Sequence, residues 1–185
     1  MSVKSSNKLF LVSGHSGGGK TTIMRSLMDN EIISFTTREK RKGEKEGYDY
    51  KFITFEDFNE LKVHNKLIES VEYGGNFYGV DHDEFNDKLN NNHTFCIVDF
   101  HGMQQMKEIY DNCCTIFIYN ESPSIAEKQM KSRGDDEGKI ANRLKTYEEE
   151  MANRKYYDYV IKNNHGQLES AIEIVRNIIK SEVSS

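Results

Sequence analysis

Residues 8–13, KLFLVS, are a short, almost unbroken apolar run that leads into a glycine-rich segment. Beyond it, in residues 21–30, Ile23, Met24, Leu27 and Met28 recur at the spacing of one helical face. Strand, loop and helix are predicted in that order. Residues 32–35 read as a second strand. Residues 36–50 are polar, basic and glycine-containing without a helical period, which predicts an exposed, extended excursion. A strand over 51–55, a helix over 56–65 carrying Phe58 and Leu61, and a strand over 68–73 before the turn Gly74-Gly75-Asn76 complete a small mixed insertion.

From Asp81 onward the pattern becomes regular. Phe85 and Leu89 mark a helix closed by the asparagines at 90–92, and TFCIVDF, residues 94–100, reads as a buried strand. A helix over 103–110 and a strand over 115–119 follow. Ser122-Pro123 then predicts a helix cap with proline at the first helical position, opening a helix over 125–131. After a break at 134–138, Ile140, Leu144, Tyr147 and Met151 share one face of a charged helix running through Glu150. A last strand at 159–161 precedes a closing amphipathic helix with Leu168, Ile172, Val175 and Ile179. Strands alternating with helices predict a parallel, doubly wound sheet.

The length of 185 residues suits one domain with small insertions. Ten Phe and ten Tyr supply a core within a chain that is 36% hydrophobic and 30% charged. Its 25 basic against 30 acidic residues, a net charge of −5, argue against general affinity for nucleic acid or anionic membrane. No apolar run approaches the roughly 20 residues that span a bilayer, and the N-terminus has no apolar signal core. A cytoplasmic protein is expected. Three cysteines, two of them adjacent, form neither a disulfide framework nor a metal-ligand spacing, so buried free thiols are expected. Asp81-His82-Asp83-Glu84 reads as charge at a helix start, with zinc as the lesser alternative.

The chemistry begins at GHSGGGKT, which satisfies G-x-x-x-x-G-K-[ST] between a strand and a helix. Such a loop wraps a polyphosphate with its N–H groups, adds the positive end of a helix, reaches the outer phosphates with Lys20 and offers the Thr21 hydroxyl to magnesium. Asp99, ending the apolar IVD run, stands where phosphate-loop proteins place a carboxylate near the metal or its water shell; as a lone residue it could equally form a turn.

Between loop and Asp99 lies a second set: Ser34, Arg38, Arg41, Tyr50, Glu69 and Tyr78. With GHSGGGKT, SFTTREKRKGEKEGYDY, IESVEYGGNFYG, IVD and the SRG…NRL pair in this order, the chain resembles the guanylate kinase family from about Leu9 to its final helix. The resemblance implies a P-loop NTPase-type parallel β-sheet core flanked by helices, with a small mixed α/β acceptor-binding insertion and a helical lid. Residues 1–33, 81–121 and 147–185 would form the core, 34–80 the GMP-binding insertion and 122–146 the lid. The implied activity is transfer of the γ-phosphoryl of ATP to GMP with Mg2+ as cofactor, by a monomer or homodimer with no nucleic-acid or membrane partner. Gly14, His15, Ser16, Gly17, Gly18, Gly19, Lys20, Thr21 and Thr22 would bind ATP, and Thr21 and Asp99 the metal. Arg38, Arg41, Tyr50 and Tyr78 would grip the GMP phosphate, Ser34 and Glu69 the guanine. Lys20, Arg133 and Arg143 would be catalytic, the two arginines closing from the lid.

These roles make chemical sense. Two guanidinium forks and two phenols can hold and orient a phosphate dianion. A carboxylate accepts from guanine N1–H and the 2-amino group, donors that adenine lacks at those positions. The chain also departs from the family pattern: Val80 replaces a serine near the base, His101 stands for the second acid of an Asp-x-Asp, Gln129 for a lid arginine, and the lid is one residue short. A kinase for another phosphorylated acceptor and a non-catalytic module reading peptides in the acceptor cleft therefore stay open. Lys20→Ala or Arg133→Ala should lower kcat far more than thermal stability; near-normal turnover rejects those roles.

Overall fold

Leu9, Phe10, Leu11 and Val12 are all fully buried, so the first strand must be covered on both faces. The computed structural model describes residues 6–121, 123–132, 136–138, 140 and 147–184. The strand, β1 (Leu9–Ser13), is the centre of a five-stranded parallel sheet with β2 (Glu31–Ile32), β7 (Thr94–Ile97), β8 (Cys113–Tyr119) and β9 (Tyr159–Lys162), in the order β2-β7-β1-β8-β9. Phe10 and Val12, with Phe95, Ile116 and Ile118, pack on α1 (Lys20–Arg25) and α7 (Leu168–Val183). Leu9 and Leu11, with Cys96 and Phe117, face α3 (His82–Asn91) and α4 (Phe100–Ile109). This is the helix-flanked parallel core that the alternation of strands and helices predicts.

A second sheet is built in chain order from β3 (Phe35–Thr36), β4 (Lys51–Phe52), β5 (Leu67–Tyr73) and β6 (Asn76–Asp81), arranged β4-β3-β6-β5, with α2 (Phe55–Val63) packed against it. β5 and β6 form a hairpin whose two loop residues, Gly74 and Gly75, have φ of 60° and 74°. Two consecutive positive φ values match the right-handed twist of the flanking strands and require such residues. After the core comes α5 (Pro123–Ser132), and α6 (Tyr147–Asn153) precedes a single 3-10 turn, Arg154–Tyr156.

Several elements differ from the sequence pattern. The strand expected at 32–35 is two strands in different sheets, separated by Ile33 and Ser34. The helix expected over 21–30 ends at Arg25, where the Ser26 hydroxyl donates to the Ile23 carbonyl at 2.7 Å and competes with the helical ladder; Leu27 and Met28 still pack on the core. β7 stops at Ile97 rather than at residue 100, because Asp99 caps α4 and puts Phe100 and His101 in its first turn. β8 starts two residues early, at Cys113, and β6 is a strand the sequence pattern did not indicate. Asp81 caps α3, accepting from the Glu84 N–H at 2.5 Å, while Lys51 pairs with Glu84 at 2.9 Å. The expected helical position Leu144 lies outside the described residues.

Strand ends set up the site. From β1 the chain turns to one side of the sheet, to β2; from β7 it crosses through α4 to β8 on the other side, so the connections diverge at the carboxyl end of β1, where α/β sheets open a crevice. Phe10→Ala, which empties a fully buried site at the centre of this sheet, should cost about 3–5 kcal/mol of unfolding free energy, read as a lower urea midpoint.

Candidate active site

The loop between β1 and α1 is seated on the sheet by an approach that excludes side chains. A Cβ on Gly14, whose φ is +133°, would lie 1.9 Å from the Ile118 carbonyl oxygen of β8. At the other end Gly19, at φ +88°, opens α1, and a Cβ there would lie 2.4 Å from Asn163 Nδ2. Two buried amides hold the loop from the sheet side: Asn120 Nδ2 donates to the Gly17 carbonyl at 3.2 Å and Asn163 Nδ2 to the Gly18 carbonyl at 2.9 Å. Within the loop the Gly18 N–H donates to the His15 carbonyl at 3.2 Å, which tightens the turn. Lys20 Nζ folds back onto the Gly14 and His15 carbonyls at 2.5 and 3.0 Å. Thr21 and Thr22 are exposed on α1.

Ser16 and Lys20 of this loop open onto a cavity of about 680 Å³ that reaches across to the second sheet. Ser34, Arg38, Arg41, Tyr50, Glu69, Tyr78 and Asp99 line the same cavity. Arg38 is buried, with its guanidinium over the Tyr50 ring at 5.3 Å, and Tyr50 meets Tyr78 edge-on at 5.9 Å. Burial chiefly, and then the neighbouring Tyr78, push the Tyr50 phenol up to about 12, so it stays protonated and able to donate. The Arg38 fork is engaged by Glu44: Nη1 and Nη2 donate to its two carboxylate oxygens at 3.0 and 2.7 Å, and the Arg41 N–H donates to the same carboxylate at 2.7 Å. Glu44 places a planar anion where two arginines converge.

The other end of the second sheet is a carboxyl corner. Glu69 is 4% exposed, and burial, then the charge of Asp99, push its carboxyl up to about 8 against a hydrogen bond from the Val80 backbone. Gly102 makes room for it: a Cβ there would stand 2.6 Å from Glu69 Oε1. Asp99 accepts the Gly102 N–H at 2.7 Å, and burial raises its carboxyl while His101 opposes the shift. Asp99 thus sits beside Glu69, and no hydrogen bond joins it to Thr21 among the described residues. Ser34 and Glu69 both border the buried Cys96 thiol, which burial pushes well above its ordinary range. Val80 is wholly buried in the core, and His101 is exposed at the cavity rim. Across the cavity the Tyr73 hydroxyl of β5 hydrogen-bonds the Glu150 carboxylate of α6. Arg133 and Arg143 lie outside the described residues, as does the side chain of Gln129.

Sequence reasoning missed Glu44, Gly102, Asn120 and Asn163. The two asparagines had one available signal: each immediately follows an apolar strand, at the sheet edge where ligands bind. Glu44 and Gly102 act through partners that only the fold brings near.

A phosphate loop at the switch point of a parallel sheet, facing an arginine- and tyrosine-lined pocket on an inserted sheet, defines a P-loop nucleotide-binding protein. The guanylate kinase family model matches residues 6–182. The chain is 33% identical over 181 residues to a guanylate kinase of Nitrosomonas europaea, covering 94% of this chain and 89% of that one. It is 34% identical over 187 residues to one of Oceanobacillus iheyensis, covering 97% and 90%. The crystal structure of guanylate kinase from Anaplasma phagocytophilum superposes with a TM-score of 0.80 at 30% identity, over 98% of this chain and 89% of that one. The chain belongs to the guanylate kinase family.

The Glu69 carboxyl, with an ordinary value of 4.5, holds its proton in the folded protein up to about 8, whereas the unfolded chain releases it near the lower value. Its contribution to stability is therefore complete below about 4.5 and is lost as pH rises through about 8. Glu69→Gln should flatten that decline and be more stable than wild type at pH 8.5 by about 1–3 kcal/mol, in urea unfolding at a series of pH values.

Proposed function

We propose that this chain transfers the γ-phosphoryl of ATP to the phosphate of GMP, giving ADP and GDP. The observation that carries the reading is that Lys20 of the phosphate loop and the set Arg38, Arg41, Tyr50, Tyr78 and Glu69 line one cavity. In the reaction a GMP phosphate oxygen bonds to the γ-phosphorus as the bond from that phosphorus to the β,γ-bridging oxygen breaks, and ADP leaves. Little covalent help is needed; positioning and charge neutralisation do the work.

Gly14 through Gly19, with His15, Ser16 and the start of α1 at Lys20, Thr21 and Thr22, hold the ATP phosphates. Lys20 leaves its two loop carbonyls for the outer phosphates and offsets charge as it moves to the bridging oxygen. Arg38 and Arg41 exchange the Glu44 carboxylate for the acceptor phosphate, and the Tyr50 and Tyr78 hydroxyls complete its hold. Glu69, with Ser34, takes the guanine edge. The Thr21 hydroxyl, together with phosphate oxygens, is a hard-oxygen set that suits Mg2+, which when bound neutralises phosphate charge. Asp99 reaches the metal only through water, given its place beside Glu69. Arg133 and Arg143 close over the phosphates from the lid and exclude water. The setting is the cytoplasm, and the chain acts as a monomer or homodimer.

Release of ADP measured with GMP, dGMP, AMP, UMP and CMP tests the reading: turnover should be confined to guanine acceptors, and equal use of AMP overturns it. Lys20→Ala should lower kcat about 100-fold or more with an unchanged melting temperature. Because guanine's two donors favour an ionised Glu69, GMP binding should release a proton. The Kd for GMP should then weaken by up to about tenfold per pH unit below 8, in calorimetric titrations between pH 6.5 and 8.5, and Glu69→Gln should remove that slope.

A further inference from the structure

His15 sits second in the phosphate loop, yet its side chain is only 2% exposed and turns away from the cavity into the protein. Its Nε2 lies 3.0 Å from the Asn120 backbone nitrogen, and its Nδ1 lies 2.9 Å from the Ser16 carbonyl oxygen. A backbone N–H can only donate, so Nε2 is the acceptor and carries no proton. The proton is on Nδ1, which donates to Ser16. One imidazole thereby joins the loop to the end of β8, and only the neutral ring can do so.

The same ring reaches a third element. It packs against Tyr147, the first residue of α6, with centroids 4.8 Å apart, and the Tyr147 hydroxyl donates to the Asn120 carbonyl at 2.7 Å. Asn120 also holds the Gly17 carbonyl through its side chain. His15, Asn120 and Tyr147 therefore form one buried unit that touches the loop on two peptides and reaches the first residue of α6.

We propose that the His15 imidazole is a positioning residue for ATP binding, coupling the shape of the phosphate loop to the first turn of α6 through Asn120 and Tyr147. The inference rests on the reading of this loop as the ATP site and assigns a role to a side chain that does not itself touch nucleotide. Protonation would turn Nε2 into a second donor facing the Asn120 N–H, and the loop would lose this one of its ties to the end of β8. The charged group facing the ring is Lys20 of α1; Tyr147 on α6 keeps its proton, since burial raises its phenol. Burial chiefly, helped by the Lys20 charge and opposed by the bond to Ser16, holds the imidazole below 6.5, so the unit is intact at neutral pH and fails on acidification.

The test is calorimetric titration of ATP, without acceptor, into the wild-type chain, His15→Phe and Tyr147→Phe from pH 8 to pH 5. At pH 8, His15→Phe should weaken ATP about tenfold by losing two hydrogen bonds, and Tyr147→Phe, which keeps the ring and loses one, about threefold to fivefold. On acidification the wild type should lose affinity more steeply than His15→Phe, the titration of ATP itself being common to both. Wild-type affinity in Tyr147→Phe, or parallel pH curves for wild type and His15→Phe, overturns the proposal. Tyr147→Phe retains its ring and serves as the decisive variant should His15→Phe not fold. The expected affinities together with absent GMP turnover would sink the kinase reading while leaving this one standing.

Discussion

No side chain fits between Gly14 and the carbonyl of Ile118, and that single close approach sets the height of the phosphate loop above the sheet. With the loop seated, Gly17 and Gly18 fall within reach of Asn120 and Asn163, α1 begins at Lys20, and the Lys20 ammonium meets the carbonyls it has just passed. The constraint runs through three parallel strands at once, because β1 supplies the glycine while β8 and β9 supply the backbone and amides that receive it. A sheet buried on both faces can hold such tolerances; a half-solvated one would have freedom to relax.

Charge is arranged against the overall balance. The chain carries a net charge of −5, but its acceptor pocket converges two arginines on one carboxylate. Glu44 keeps Arg38 in a planar, two-point geometry, so the guanidinium is already ordered for an oxyanion. At the opposite corner, burial first and the neighbouring Asp99 second keep Glu69 protonated at neutral pH. The pocket is thus built with an anion-shaped partner at one end and a suppressed anion at the other.

The core was legible in the sequence because its signals are local: an apolar run, a glycine loop and a helix follow within the first 30 residues. Family resemblance brought Arg38, Arg41, Tyr50, Tyr78, Ser34 and Glu69 forward from an otherwise featureless stretch, and the fold gathers all six around one cavity. Other features depend on partners far along the chain. Asp99 lines the cavity with Lys20, as a strand-end carboxylate should, but that it also caps α4 and neighbours Glu69, 30 residues earlier in sequence, only the fold shows. The split of residues 32–35 between two sheets could not be read from apolar pattern, since both halves are apolar and only pairing separates them. Gly102 carries no signal at all until Glu69 is seen against it.

That split has a mechanical consequence. The acceptor sheet leaves the core through Ile33 and Ser34 and returns where Asp81 hands over to α3, and the Ile33 N–H is tied to Glu84 of that same helix at 3.2 Å. Both covalent crossings therefore lie together, so a rigid rotation of this sheet, once the Arg25–Asp49 ion pair and the Tyr73–Glu150 hydrogen bond had parted, would pivot there. About such a pivot Ser34 and Val80 would travel least and the Gly74-Gly75 tip farthest, so the corner at Glu69 would keep its register while the far rim of the cleft moved.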